Sequence, residues 1–460
     1  MALTVESLRG KRAAVMGIGL RSGVPLIRFL VDRGARVTAC DQKTREQLHD
    51  ALDALGERDV EYILGGEYLG RLEGFDLLFR TPVMRPDLPE IVKAVAKGAL
   101  LTSETELVFD LAKAPIIAVT GSDGKTTTTS LIFAILSEAG YMTYLGGNIG
   151  QSLVEQVEDI PPSARIVLEL SSFQLLPMTQ SPAVAVVTNI SPNHLDVHAS
   201  YAEYISAKAN IWRHQGSEDY VILNYDDLTT RAMAGHVPGK VVFFSRREAV
   251  PCGVFVRGSS LVARWQGAEV QICDITGLRL LGGHNIENVA AAAAVGLVQG
   301  VDPRIIASAV TSFTPVEHRL ELVRELDGVR YYNDSIASSP TRTLAGLRAI
   351  GGDILLIAGG SDKNVPFDEL ALELVERVRA VALIGSTADK LAMAIKDAER
   401  KKGKKVKKIN LPTLQAAVEW CRRQAEPGSS IMLSPACASF DMFRDFEDRG
   451  RKFKNIVKAL

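Results

Sequence analysis

The strongest chemical signal in the chain is Thr120-Gly121-Ser122-Asp123-Gly124-Lys125-Thr126-Thr127, set between an apolar run at 116–119 and a helical pattern over 126–139 that stops at Gly140. A glycine turn between strand and helix lets backbone N–H groups surround phosphate oxygens. The lysine adds a point charge at the terminal phosphate, and the hydroxyl that follows suits Mg²⁺. The usual phosphate loop separates its glycines by more than the two residues between Gly121 and Gly124, so a shortened variant is needed. The alternative is a glycine turn beside a surface lysine.

A second glycine turn, Gly17-Ile18-Gly19-Leu20-Arg21-Ser22-Gly23, lies between an apolar run at 12–16 and a helical pattern at 24–32. It would let a diphosphate approach helix N–H groups, and Asp41, closing the next strand at 36–40, is placed to accept from a ribose hydroxyl or a base. Ser22 stands where a dinucleotide fingerprint has its last glycine, which weakens a plain NAD reading. A turn without a ligand stays open.

Three residues stand out as metal or acid–base candidates. Glu169 sits inside an apolar strand at 166–170, where a carboxylate is costly unless paired or bound to a cation. His194 follows a strand at 184–190, in Ser191-Pro192-Asn193-His194; a hydrogen-bonded structural histidine and a ligand are both open readings. Lys208 lies on a stripe with Tyr201, Tyr204, Ile205, Ile211 and Trp212, on a helix that the box Ser200-x-x-Glu203 starts near Tyr201. It reads as a snorkelling surface lysine, a buried ion pair or a chemically modified lysine. Periodicity alone favours the first.

The elements that must position these residues are strands alternating with helices, an α/β pattern with mostly parallel sheets. The chain has 460 residues, which at about 150 per domain suggests three. The expected boundaries are 1–112, 113–315 and 316–460, with breaks at 112–115 and 313–319. Short strands at 241–244, 254–257, 261–265 and 270–273 predict a small antiparallel sheet beside the central parallel one, and 285–299 reads as a buried helix. Lys and Arg total 53 against 54 Asp and Glu, a net charge of −1, which argues against coating nucleic acid or anionic membrane. The basic run at 400–408 reads as a solvated helix end. The longest stretch free of charged residues, 170–195, contains Pro177, Pro182 and Pro192 and is no membrane span. Five scattered cysteines, with no CxxC and no apolar leader before the first strand, point to buried thiols in a cytoplasmic protein.

TGSDGKTT (120–127), GGNIG (146–150), LELSSFQL (168–175), SPNHLDVH (191–198), YISAKANIW (204–212), GGHNIEN (282–288), EHRLE (317–321), YNDSIASSP (332–340), GGSDKN (359–364) and SPACASFDMF (434–443) together resemble the motifs of the Mur ligases, in order and over essentially the whole chain. LELSSFQL and SPACASFD are most similar to the glutamate-adding subgroup. The resemblance implies an N-terminal Rossmann-like domain that binds UDP, a central P-loop-type ATPase and a C-terminal Rossmann-like domain that brings the amino acid. It implies ATP-driven joining of glutamate to UDP-N-acetylmuramoyl-L-alanine through an acyl phosphate, in a monomer without nucleic acid or membrane. Another Mur ligase or a folylpolyglutamate synthase is the alternative.

By the same matching, Lys125 would hold the γ-phosphate, with Gly121, Ser122, Asp123, Gly124, Thr126 and Thr127 around it. Thr126, Glu169 and His194 would serve Mg²⁺, joined by a carbamylated Lys208. Asn288, Arg319 and Asp334 would contact ATP. Gly17, Gly19, Leu20, Ser22, Gly23, Asp41 and Asn148 would hold the UDP substrate, and Lys363, Ser434, Phe440 and Ser338 the glutamate. Three positions depart from the family pattern: Ile336 where lysine is common, Thr81-Pro82-Val83 where Ser-Pro-Gly is usual, and Asn193 where aspartate is common.

Overall fold

The structure, a computed structural model, describes residues 2–150, 152–192, 197–280, 282–314, 317–350, 352–362 and 365–460. His194, Asn193 and Lys363, and Pro315 in the second expected break, lie outside the described residues. The chain forms two compact units, Met1–Leu278 with His284–Phe313 and Arg279–Gly283 with Thr314–Leu460.

The first unit holds two sheets. In one, β1 (Arg12–Met16), β2 (Arg36–Asp41), β3 (Val60–Leu64), β4 (Leu77–Phe79) and β5 (Leu100–Thr102) run in the order β3-β2-β1-β4-β5, all parallel. Parallel neighbours need long crossovers, and helices such as Gly23–Asp32 and Pro89–Ala96 supply them. Chain order reverses between β1 and β4, which opens a crevice at their carboxyl ends.

The other sheet contains β6 (Ile116–Thr120), β7 (Thr143–Gly147), β8 (Arg165–Glu169), β9 (Val184–Val187), β10 (Tyr220–Asn224), β11 (Lys240–Ser245), β12 (Gly253–Arg257), β13 (Ser260–Trp265) and β14 (Ala268–Asp274). Its order is β14-β13-β12-β11-β10-β9-β6-β8-β7. The strands from β7 to β12 are parallel and only the last two antiparallel, so of the four strands expected in a small antiparallel sheet β11 and β12 extend the parallel sheet, and β13 and β14 alone reverse, in hairpins continuous with it. At the β13–β14 turn Gln266 and Gly267 both have positive φ, 51° and 82°, the turn whose twist matches a two-residue hairpin. β6 is buried throughout because helices cover both faces. The helix Gly283–Val298 carries the run Ala290–Ala294, fully buried; a Cβ on its Gly296 would come within 2.9 Å of Ile306, so small residues set this close packing.

In the second unit β15 (Glu321–Leu326), β16 (Val329–Asn333), β17 (Ile354–Gly359), β18 (Val378–Ile384), β19 (Lys407–Asn410) and β20 (Ser430–Leu433) lie in the order β15-β16-β20-β17-β18-β19. Only β15 is antiparallel to its neighbour. Leu356, Ala358, Val381 and Leu383 fill the core on one face, and Leu355, Ile357, Ala380, Ala382 and Ile384 on the other. Burial on both faces explains their unbroken apolar runs; each fully buried Leu or Ile contributes about 1.5–3 kcal/mol. The basic run is a helix end, as expected: Lys408 pairs with Glu399 at 2.8 Å, Lys402 with Glu376, and Gly403 closes the helix at φ 65°.

Candidate active site

The phosphate-loop residues follow β6 and enter the Lys125–Glu138 helix. Gly121 has φ +149° and Gly124 φ +82°; a Cβ would lie 1.8 Å from Thr188 Oγ1 at the first and 2.3 Å from Asn288 Oδ1 at the second. Glycine is therefore required by both backbone angle and space. Thr188 Oγ1 donates to the Asp123 carbonyl at 2.5 Å, Asn189 Nδ2 donates to it at 3.0 Å, and the Asp123 N–H returns a bond to Asn189 Oδ1 at 2.9 Å. Ser122 is buried: its Oγ donates to the Ser191 carbonyl and lies 2.9 Å from the Tyr204 hydroxyl. Lys125 Nζ folds back onto the carbonyls of Gly121 and Ser122 at 2.8 and 2.9 Å. Thr126 is half-buried in the first helical turn, and Thr127 is fully buried. Asn288 braces the loop from below, accepting from Thr128 Oγ1 at 3.2 Å and donating to Asn285 at 3.0 Å.

Glu169 closes β8, next to β6, and is 2% exposed. Its Oε1 accepts from Asn148 Nδ2 at 2.9 Å, and the Asn148 N–H donates to its backbone carbonyl at 2.8 Å. Its Oε2 is buried with no hydrogen-bond partner. Such an oxygen is costly to leave alone and fits a cation. A divalent ion held by one or two protein oxygens and substrate phosphates, as Mg²⁺ commonly is, suits this donor set.

Lys208 corrects the reading that periodicity favoured. It does not snorkel: it is 2% exposed, on the Tyr201–Arg213 helix, because the phosphate loop covers the stripe it shares with Tyr204. Its Nζ donates to the Gly121 carbonyl at 2.8 Å and to Thr120 Oγ1 at 3.5 Å, and lies 4.6 Å from the Tyr204 ring centre. Burial, and then the charge of Lys125, push its pKa well below the ordinary lysine value.

At the carboxyl ends of β1 and β4 a cleft of about 170 Å³ is lined by Gly17, Arg21, Ser22, Gly23, Thr81 and Asn148, among others. Gly17 faces Thr81, whose Cβ would be 3.2 Å from an added one. Gly19, Leu20 and Asp41 lie outside this lining. Asp41 instead holds the turn, accepting from the N–H groups of Ile18 at 2.9 Å and Lys43 at 3.0 Å. Three residues not anticipated also line the cleft: Arg80, Glu104 and Gln174. Glu104 accepts from Ser152 Oγ at 2.5 Å, and burial raises its pKa to about 7. Their partners lie far away in the chain, so no local spacing flagged them.

In the second unit Asp334 follows β16. Its Oδ1 accepts from the Leu320 N–H at 3.2 Å, its Oδ2 from Ser434 Oγ at 2.7 Å, and burial raises its pKa to about 7. Ser434 is fully buried and its Oγ also lies 3.0 Å from Thr343 Oγ1, so its hydroxyl holds Asp334 in place. Arg319 stands between His318 and Leu320, both left-handed at φ 66° and 46°. Such backbone angles are unusual away from glycine and here aim a half-buried arginine. Ser338 is half-buried and Phe440 is 74% exposed. Beside Ile336, Arg342 donates to its carbonyl at 3.4 Å and brings a cation to that turn.

Family models cover the chain in three stretches: the Mur ligase MurD-like N-terminal domain at 11–103, the Mur ligase middle domain at 119–296 and the Mur ligase glutamate ligase domain at 318–437. The UDP-N-acetylmuramoylalanine–D-glutamate ligase of Acetivibrio thermocellus is 48% identical over 459 residues, 99% of this chain and 98% of its own. The protein of the same name from Symbiobacterium thermophilum is 49% identical over 453 residues, 98% of each. The fold is similar to that of UDP-N-acetylmuramate-alanine ligase MurC from Thermotoga maritima, with a TM-score of 0.60 and 20% identity over 98% of this chain and 99% of that one. With three family models in series and end-to-end identity near one half, the chain belongs to the Mur ligase family, within its MurD-like group.

Proposed function

We propose that the chain is an ATP-dependent ligase that joins D-glutamate to UDP-N-acetylmuramoylalanine in peptidoglycan precursor synthesis. The observation that carries the reading is a phosphate loop and a cation-seeking carboxylate, Glu169, on adjacent strands, with Asn148 reaching from Glu169 into the cleft of the first unit.

An ionised carboxylate is a poor acyl donor. In the proposed reaction an oxygen of the substrate carboxylate attacks the γ-phosphorus of ATP, the bond to the bridging oxygen breaks and ADP leaves. The glutamate amine then attacks the acyl carbon and loses a proton, and phosphate leaves with the C–O bond pair. Most of the catalysis is charge stabilisation and positioning. Lys125, tethered to its own loop, places a fixed cation at the phosphate chain. Thr126 and Glu169 would hold Mg²⁺, with His194 as a third candidate; when bound, the ion neutralises charge on the phosphate oxygens. Asn148 fixes one Glu169 oxygen and leaves the other for the metal.

Lys208 is proposed to be carbamylated. Burial lowers its pKa and so favours the neutral amine, the form that adds CO₂ and releases a proton to give a carbamate. The new anion would neutralise a site that otherwise crowds two lysines on one carbonyl. For the second unit, Lys363, Ser338 and Phe440 are proposed for glutamate, with Ser434 acting through Asp334, and Arg319 and Asp334 for ATP. A monomer in the cytoplasm completes the proposal. The five free cysteines suit a reducing compartment.

The test is release of phosphate from ATP with Mg²⁺, UDP-N-acetylmuramoylalanine and either enantiomer of glutamate. Release that needs both the nucleotide substrate and D-glutamate is expected. Release with another amino acid or another acceptor in their place would transfer the chain to a different ligase activity.

A further inference from the structure

Arg85, in the loop that follows β4, belongs to none of the roles assigned above. Its guanidinium uses both edges. Nε and Nη2 donate to Asp87 at 2.8 and 2.7 Å; Nη1 and Nη2 donate to the two oxygens of Glu203, each at 3.0 Å; Nη1 also donates to the Val197 carbonyl at 2.8 Å. Glu203 lies in the first turn of the helix that carries Lys208, behind the cap Ser200. It accepts in addition from the Ala199 N–H at 2.8 Å and faces His198 Nδ1 at 3.2 Å. His198 in turn reaches Ser172 Oγ at 2.9 Å and stacks on Phe173, with ring centres 5.3 Å apart. Residues 197–200, which lead into the Lys208 helix, are thereby held from the loop after β4 and from the turn after β8.

The other end of the same loop is at the substrate cleft. Thr81 and Pro82 line it, and Arg80 fixes them from beneath by donating to the carbonyls of Pro82 at 2.9 Å, Met84 at 2.5 Å and Phe173 at 2.5 Å. From Glu203 to Lys208 is about one and a half helical turns, roughly 7.5 Å. Lys208 ends on the Gly121 carbonyl of the phosphate loop. Cleft wall, Arg85, Glu203, helix, Lys208 and phosphate loop form one continuous series of contacts.

We infer that Arg85 is a positioning residue that couples the substrate cleft to the helix bearing Lys208, through its forked contact with Glu203. An exposed ion pair would do little. This one is bidentate, about three-quarters buried on both sides (26% and 25% exposed), and shares its carboxylate with a helix-start N–H. A fork fixes rotation and register as a point charge cannot. Any slide or turn of the helix relative to the cleft loop breaks both bonds together. The functional part of the inference rests on the ligase reading.

The test compares Arg85→Gln, Glu203→Gln, the double variant and Arg85→Lys in the full chain. In the ligase assay each Gln variant is expected to lower kcat about tenfold with KM for ATP and glutamate within about twofold, and the double variant to lose no more than either single one. Arg85→Lys, which cannot fork, should stay closer to Arg85→Gln than to the parent. Losses that multiply to about a hundredfold in the double variant, or an unchanged kcat, overturn the inference. A parent protein inert with D-glutamate defeats the ligase reading instead. Hydrogen exchange on the free protein then decides the coupling: Arg85→Gln should speed exchange at 199–208 at least about tenfold and leave β6 and β8 unchanged. No change at 199–208 overturns it.

Discussion

Lys125 and Lys208 donate to the same carbonyl oxygen: each ammonium nitrogen lies 2.8 Å from the oxygen of Gly121. Two cations on one acceptor repel, and the more buried one gives up its proton more readily. Burial and the neighbouring Lys125 charge both act on Lys208 in that direction. Depth thus separates the two amines, favouring loss of the proton from the deeper Lys208.

Burial that favours the unprotonated amine of Lys208 should let it take up CO₂. Protein stripped of dissolved CO₂ is expected to lose most of its activity and regain it with bicarbonate. A carbamate resonance from ¹³C-labelled bicarbonate should appear in the parent and be absent from Lys208→Ala. Full activity after stripping would show that the amine works unmodified.

Lys125→Ala should lower kcat by about 10²–10³, the range for removing one preorganised charge from a transition state. The melting temperature should change little, since Lys125 is half-exposed and its bonds to the Gly121 and Ser122 carbonyls lie within its own loop. Gly121→Ala should lose both activity and stability, because the added Cβ would meet Thr188 Oγ1 at 1.8 Å. Normal turnover in either variant would remove the loop from the chemistry.

Glu169→Gln keeps the shape and removes the charge around the unpartnered oxygen. The Mg²⁺ concentration for half-maximal activity is expected to rise at least about tenfold. Asn148→Ala, which frees the other oxygen, should shift it in the same direction, as loss of a supporting partner does. An unaltered Mg²⁺ titration for Glu169→Gln would place the metal elsewhere.

Asp334 sets a pH dependence of stability. Its folded pKa is raised to about 7 from 3.8, chiefly by burial, so the folded protein binds the proton more tightly than the unfolded chain. Stability from this group is fully present below pH 4 and is lost as pH rises toward 7. Asp334→Asn stays neutral, so the melting temperature of the parent relative to this variant should fall between pH 4.5 and 7.5 and level off above. A difference that stays flat across that interval would mean that Asp334 is ionised when folded.

Much of the fold was legible because parallel strands buried on both faces are short, unbroken apolar runs, as at β1, β6 and β17. β15 escaped for the opposite reason. It is a half-exposed edge strand, Glu-Leu-Val-Arg-Glu-Leu, whose charges hide it, although the Asp327-Gly328 turn after it, with φ 54° and 75°, was a readable hairpin signal. Arg80, Arg85 and Glu104 gave no warning, since their roles depend on partners far away in the chain.

By itself the sequence pointed to phosphate chemistry at 120–127, set Glu169 in an apolar strand where a carboxylate calls for a cation or a partner, and put Lys208 on an apolar stripe. Those conclusions rest on local spacing: glycine at a strand-to-helix turn, a carboxylate in an apolar run, a helical period. Only the tertiary structure decided that Lys208 is buried against the loop rather than reaching solvent, that Asp41 caps Ile18, and that Ser434 is spent on Asp334. Burial depth and hydrogen-bond partners are set by which strands become neighbours. The order β9-β6-β8, which brings Thr188, Gly121 and Glu169 together, is a non-local choice that no spacing along the chain encodes.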